Sequence, residues 1–220
     1  MDTEQLGSLT IYKEGEVLSG WDGKNFTYEK KKLAGATFKV TAGADIHKAD
    51  GTKVYKKGDL VKDNLQTGSD GQVVLTDLHL GTYVVTETKS IDGYTINTAP
   101  QTVKIEYKDQ NVKVQSESTT ILNSRQKANV TVVKKDSVTE NPLGGGKYTL
   151  FAGCDIKNHA GKVIVTKGTA LQTVTTGKDG SASYTVDLPI KNNYYVSEAQ
   201  APSNLSLIHI SEPTRLGMIS

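Results

Sequence analysis

Leu9-Thr10-Ile11-Tyr12-Lys13 alternates inward apolar with outward polar positions, and the pattern returns 121 positions later (134 − 13) as Val130-Thr131-Val132-Val133-Lys134. A period of two predicts a half-buried strand with Leu9 and Ile11 on its core face. The same alternation sends Lys13, and in the second copy Lys134, to that face. An ammonium aimed into a core is costly unless it is paired or neutralised, so each copy needs a partner for its lysine. Tyr83-Val84-Val85-Thr86-Glu87 and Tyr194-Tyr195-Val196-Ser197-Glu198 repeat the arrangement with a carboxylate in the third inward place. Glu87 and Glu198 are therefore expected to be buried on strands, the alternative being an ordinary ion pair at a strand end. In Thr119-Thr120-Ile121-Leu122-Asn123, the residues Thr119, Ile121 and Asn123 share one face.

Between these landmarks the two halves keep step. Ala36 to Ile46 matches Gly146 to Ile156, Lys57-Gly58 matches Lys167-Gly168, and Asp70-Gly71 matches Asp179-Gly180. Turn signals at such intervals between β-rich segments predict a meander or Greek-key sandwich. From Lys13 to Phe38 is 25 positions, whereas Lys134 to Tyr148 is 14, so the first copy carries an insertion. Its Ser-Gly-Trp-Asp-Gly turn chemistry predicts a surface loop or an added hairpin. Trp21 within it is either packed against its own hairpin or exposed for a ligand. The expected domains are a leader over residues 1–7, a first sandwich over 8–126 and a second over 127–204. Residues 205–220, beginning Leu205-Ser206-Leu207-Ile208-His209-Ile210, read like translated sequencing adapter and are expected to lie outside any fold. The second sandwich is then expected to be incomplete, without a counterpart of Asn123.

Composition narrows the function. Lys+Arg (26) and Asp+Glu (24) nearly cancel to +2 and are interspersed, so no basic face for nucleic acid is expected. No apolar run has the roughly 18 residues that a membrane-spanning helix needs. Met1-Asp2-Thr3-Glu4-Gln5 lacks the basic start and apolar core of a signal peptide. With one cysteine an intramolecular disulfide is impossible, and Cys154, standing where the first copy has Ala44, is read as a small core residue in preference to a reactive thiol. Gly144-Gly145-Gly146-Lys147 fails as a phosphate loop, because Asn141 holds the first glycine position and Tyr148 the Ser/Thr position. His47, His79 and His159 lack ligand spacing, so neither a metal site nor a cofactor is expected.

Brought together in an apolar pocket, Lys13, Glu87 and Asn123 define a reaction. Desolvation favours the neutral lysine amine, a nucleophile, and a carboxyl beside it can carry protons to a departing ammonia. The product is an amide between the Lys13 and Asn123 side chains, formed once, with proximity supplying most of the rate. It closes a loop of 110 residues (123 − 13), worth about 5 kcal/mol if the disulfide loop-entropy relation carries over.

The combined pattern of Leu9-x-Ile11-x-Lys13, Tyr83-x-Val85-x-Glu87 and Ile121-Leu122-Asn123-Ser124-Arg125, resuming at Val130, resembles tandem Cna protein B-type repeats of the SpaA-type pilins and multi-repeat adhesins of Gram-positive bacteria. Glu198-x-x-Ala201-Pro202 is similar to that family's signature around its catalytic glutamate. The first copy has Ser90-Ile91 where Ala-Pro is usual. The resemblance implies an all-β chain of tandem prealbumin-like, inverse immunoglobulin-type sandwiches. It also implies a self-formed isopeptide bond with Lys13 as nucleophile, Asn123 as acceptor and Glu87 as catalyst. Lys134 and Glu198 match in the second copy. The implied setting is extracellular and cell-wall associated, with neighbouring repeats of the same protein as partners and a structural stalk as the role. An adhesive module that contacts a host matrix protein or glycan through the Trp21 insertion is the alternative. A glycosidase using Glu87 would need a second carboxylate facing it, where the pattern places lysine and asparagine.

Overall fold

The computed structural model describes residues 4–109, 112 and 114–202, so the start of the leader, Asn204 and the adapter-like stretch lie outside the described residues. The described chain groups into two units. Of the described residues, unit 1 holds those up to Glu16 and those from Lys30 to Arg125, and unit 2 holds Val17–Glu29 and those from Gln126 onward.

The first ten strands are β1 (Leu6–Trp21), β2 (Phe26–Lys32), β3 (Thr37–Ala42), β4 (Ile46–His47), β5 (Lys53–Tyr55), β6 (Leu60–Gln66), β7 (Gln72–His79), β8 (Gly81–Lys89), β9 (Gln101–Ile105) and β10 (Val114–Asn123). One sheet runs β10-β1-β2 with β7 also paired to β1, and the other runs β6-β3-β8-β9. Their inward rows, including Leu9, Ile11, Phe38, Val40, Tyr83, Val85 and Ile121, form one buried core. Alternation is the cause: β1 reads buried and part-buried by turns along its first ten residues. β1 and β10 pair in parallel, with Lys13 opposite Ile121 and Gly15 opposite Asn123. First and last strands of the unit thus lie side by side, which brings Lys13 and Asn123 to one end of the same sheet.

Unit 2 repeats this plan with β11 (Thr131–Val133), β12 (Lys147–Ala152), β13 (Ile156–Lys157), β14 (Val163–Val165), β15 (Ala170–Thr175), β16 (Ser181–Ser183) and β17 (Tyr194–Gln200). The order β15-β12-β17 reproduces β6-β3-β8, and the β11-β16 pair reproduces β1-β7. Turn chemistry is shared too. Gly71 and Gly180 have φ of 70° and 73°, and a Cβ on either would meet backbone, Leu33 N at 2.8 Å in one and Lys134 O at 2.4 Å in the other. Among the described residues, β11 has no strand paired to it in the way β10 pairs with β1.

The first sandwich was expected over 8–126; within that range the hairpin end Val17–Glu29 groups with unit 2. The reason is apolar: Phe26 is buried in the unit 2 core, and Leu18, Trp21 and Tyr28 pack against that core. Polar contacts fix the placement, with His159 N donating to Leu18 O (2.9 Å), Asn158 Nδ2 to Ser19 O (3.1 Å) and the Tyr28 hydroxyl to Asp187 O (2.8 Å). Cys154, expected in the core, is half-buried on the bend after β12, where its Sγ faces Asn192 and Asn193.

Candidate functional site

Lys13 is completely buried on β1, Glu87 is 2% exposed on β8 and Asn123 is 6% exposed at the end of β10. Lys13 Nζ lies 3.2 Å from Glu87 Oε2. Asn123 Nδ2 donates to Glu87 Oε1 at 2.8 Å. One carboxylate therefore touches both the amine and the amide, each through its own oxygen. The Lys13 ammonium also lies 6.0 Å from the centre of the Phe38 ring, which roofs it with carbon. Burial pushes the Lys13 pKa down, and the hydrogen bond and charge of Glu87 offset that only in part.

Two groups complete the site. Ser90, just beyond β8, places its hydroxyl 2.7 Å from Asn123 Nδ2. The backbone N–H of Asn97 donates to Glu87 Oε2 at 2.9 Å, while the Asn97 side chain donates to Leu122 O at 3.1 Å, tying this loop to the end of β10. Neither residue was singled out from the sequence as part of a site. Ser90 had one available signal, its departure from Ala-Pro three residues after Glu87; a backbone N–H leaves none.

Asn123 Oδ1 is buried and without a hydrogen-bond partner among the described residues. An orphaned buried carbonyl oxygen is unfavourable by about 1–3 kcal/mol. A half-turn of the carboxamide exchanges its two ends. Oδ1 then takes the place beside Glu87 Oε1 and the Ser90 hydroxyl, where both groups can donate to it once Glu87 carries a proton.

The second constellation is looser. Lys134 Nζ lies 3.7 Å from Glu198 Oε2, with side chains 31% and 13% exposed. Glu198 is thus half-buried where burial was expected. Lys134 lies one residue past β11, which has only three residues, so less sheet covers it. The other oxygen, Glu198 Oε1, accepts a hydrogen bond from the Tyr148 hydroxyl at 2.8 Å. The Trp21 ring is tilted against Phe26 at 4.6 Å between centroids.

Paired four-stranded sheets with first and last strands adjacent define an all-β, prealbumin-like class of domain. The family described as SpaA, prealbumin-like fold domain, matches residues 24–120 and 128–211, and the chain belongs to it. No curated protein matches the chain. Among solved structures, the Bacillus anthracis TIE protein shares the fold at a TM-score of 0.62 and 20% identity, over 98% of this chain and 31% of that one. A streptococcal ancillary pilin aligns with 23% identity and a TM-score of 0.37, over 100% of this chain and 60% of its own. The shaft pilin SpaA of Lactobacillus rhamnosus GG aligns with 17% identity and a TM-score of 0.36, over 97% and 94%. The chain spans less than a third of the TIE protein and less than two thirds of the ancillary pilin.

Proposed function

We propose that the chain is a pair of stalk repeats from a pilin-like protein of the Gram-positive cell surface, the first repeat closed by an amide bond between Lys13 and Asn123. The observation that carries this reading is the single buried carboxylate, Glu87, touching both the Lys13 amine and the Asn123 amide. The surface location and the neighbouring repeats as partners are taken from the family, several of whose structural relatives are pilins.

The reaction follows from the contacts. Burial favours the neutral Lys13 amine, whose proton passes to the Glu87 carboxyl and is carried on Oε1, the oxygen that faces Asn123. With its carboxamide turned, Asn123 accepts hydrogen bonds at Oδ1 from Glu87 and Ser90, which draws electrons from Cγ. The amine attacks Cγ, so the Nζ–Cγ bond forms and the Cγ–Nδ2 bond breaks. Glu87 takes up the proton lost by the amine, and when the tetrahedral adduct turns to bring Nδ2 back beside it, passes a proton to Nδ2, which leaves as ammonia. Amine and primary amide become secondary amide and ammonia, and no oxidant or cofactor enters the balance. Each chain reacts once and consumes its own residues, so this is not a turnover enzyme.

A bond between β1 and β10 carries tension straight from the first strand to the last of the unit. That suits a load-bearing stalk, and unlike a disulfide it resists reduction. The adhesive reading of the insertion has less support, since Trp21 lies against Phe26 and the unit 2 core. The test is the intact mass of the full chain beside Glu87→Ala and Lys13→Ala. Wild type short by one ammonia, with both variants at full mass, is the expected result. Wild type at full mass would overturn the cross-link and leave Lys13 and Glu87 as a buried ion pair.

A further inference from the structure

We infer that a hydroxyl on the residue facing the catalytic carboxylate across the sheet hinders cross-linking of a repeat, and that Tyr148 places such a hydroxyl on Glu198. The inference rests on the cross-linking reading of unit 1 and extends it to a rule for choosing between repeats. Strand register supplies the comparison. Phe38 on β3 stands opposite Glu87 on β8, and Tyr148 on β12 stands opposite Glu198 on β17, each one step past a matching irregularity in the ladder. Position for position, the two units differ here by one hydroxyl group.

That hydroxyl lands on the reacting atom. In unit 1 the Phe38 ring offers no donor, and Glu87 Oε1 is left to the Asn123 amide at 2.8 Å. In unit 2 the Tyr148 hydroxyl donates to Glu198 Oε1, also at 2.8 Å. For amide formation this oxygen must bear the proton that is offered to the acceptor carbonyl. A phenol donating into it makes it an acceptor instead, and the direction in which the proton would be offered is taken. Burial and the bond to Glu198 both push the Tyr148 pKa up, so the phenol keeps its proton and remains the donor. The amine differs in the same direction: the Lys134 side chain is 31% exposed, whereas that of Lys13 is fully covered. Lys134 keeps contact with water that Lys13 lacks.

Moving the hydroxyl tests the rule. In the full chain, Phe38→Tyr is expected to slow cross-linking by on the order of tenfold to a hundredfold, the effect of a hydrogen bond to a charged group on a rate. Phe38→Leu, apolar but without a hydroxyl, is expected to retain the cross-link. Rates are read as the loss of one ammonia in intact mass over time, with circular dichroism confirming the fold. Cross-linking of Phe38→Tyr at the wild-type rate would overturn the inference alone, as would folded but unlinked Phe38→Tyr and Phe38→Leu together, since ring packing would then be the cause. A wild type that loses no ammonia would overturn the cross-linking reading and this inference with it. Should Phe38→Tyr not fold, the contact is tested in unit 2 by following Tyr148 ionisation by NMR. In Glu198→Gln it is expected to fall to lower pH, and an unchanged titration would sink the idea.

Discussion

Glu87 and Glu198 occupy equivalent places on equivalent strands, β8 beside β3 and β17 beside β12, yet their surroundings differ. Glu87 is buried against a buried lysine and bonded to an amide; Glu198 is half-buried, beside a part-exposed lysine and bonded to a phenol. The parallel strand β10 that covers Lys13 and delivers Asn123 has no counterpart among the described residues of unit 2. On the proposed reaction, a lysine–glutamate pair on this scaffold is not enough by itself. That reaction asks for full burial, an amide within reach of the carboxylate, and a neighbour that leaves the carboxylate oxygen free.

The comparison breaks most visibly under alanine substitution of the two glutamates. Glu87→Ala strands Lys13 in the core, a loss of about 3–5 kcal/mol for a buried charge without its partner. It also prevents the cross-link and forfeits about 5 kcal/mol of loop closure. Glu198→Ala leaves a lysine that can reach water, and should lose about 1 kcal/mol or less for the ion pair. Trp21 is the sole tryptophan and groups with unit 2, so its fluorescence follows that unit in denaturant while hydrogen exchange along β1 and β10 follows unit 1. Equal losses in both units would erase the distinction drawn between the sites.

Phe26→Ala sharpens the comparison from the side of packing. Phe26 is buried in the unit 2 core, and truncation of a buried phenylalanine loses about 3–5 kcal/mol. The expected outcome is faster hydrogen exchange in β12 and β17, with protection of β3 and β8 unchanged. Loss of protection in β3 and β8 alone would return the hairpin end to unit 1.

Much of the unit 1 site was legible in the sequence, because alternation in a strand is local. Leu9, Ile11 and Lys13 must share a face whatever surrounds them, as must Tyr83, Val85 and Glu87. What was not legible arises from tertiary placement. The turn chemistry of residues 19–23 announces a hairpin, but nothing in it says which core will bury Phe26. Ser90 and Asn97 enter the site through loops whose path no periodicity encodes. Tyr148 was visible as the counterpart of Phe38, but its significance needed the register that sets its hydroxyl on Glu198 Oε1.

A smaller effect lies in the alkaline pH dependence of an uncross-linked chain. In Asn123→Ala the Lys13 amine stays titratable, and burial holds its folded pKa below the ordinary 10.5. Between those two values the unfolded state binds more protons, so the stability of unit 1 rises with pH. Comparison with Lys13→Met/Asn123→Ala below pH 10.0, where phenols are still protonated, isolates the lysine. The rise should vanish in the double variant and in cross-linked wild type, where Nζ is an amide. Its persistence in the double variant would assign it to another group.

The smallest effect should be the same in both units, which makes it the control on the others. Asp70 holds the turn before β7, accepting from Gln72 Nε2 at 2.7 Å and Gln72 N at 3.1 Å. Asp179 holds the matching turn, accepting from the Ser181 hydroxyl at 2.6 Å and Ser181 N at 3.0 Å. In each, the side-chain hydrogen bond first and the backbone one second pull the carboxyl below its ordinary 3.8. A depressed carboxyl pKa gives stability that is fully present above pH 3.8 and is lost as pH falls through the folded value. Both units should therefore weaken together just below pH 3.8, and Asp70→Asn and Asp179→Asn should flatten that slope by similar amounts, each in its own unit. Acid lability confined to one unit would mean that the turns are not equivalent, and the contrast between Glu87 and Glu198 could no longer be assigned to the site residues alone.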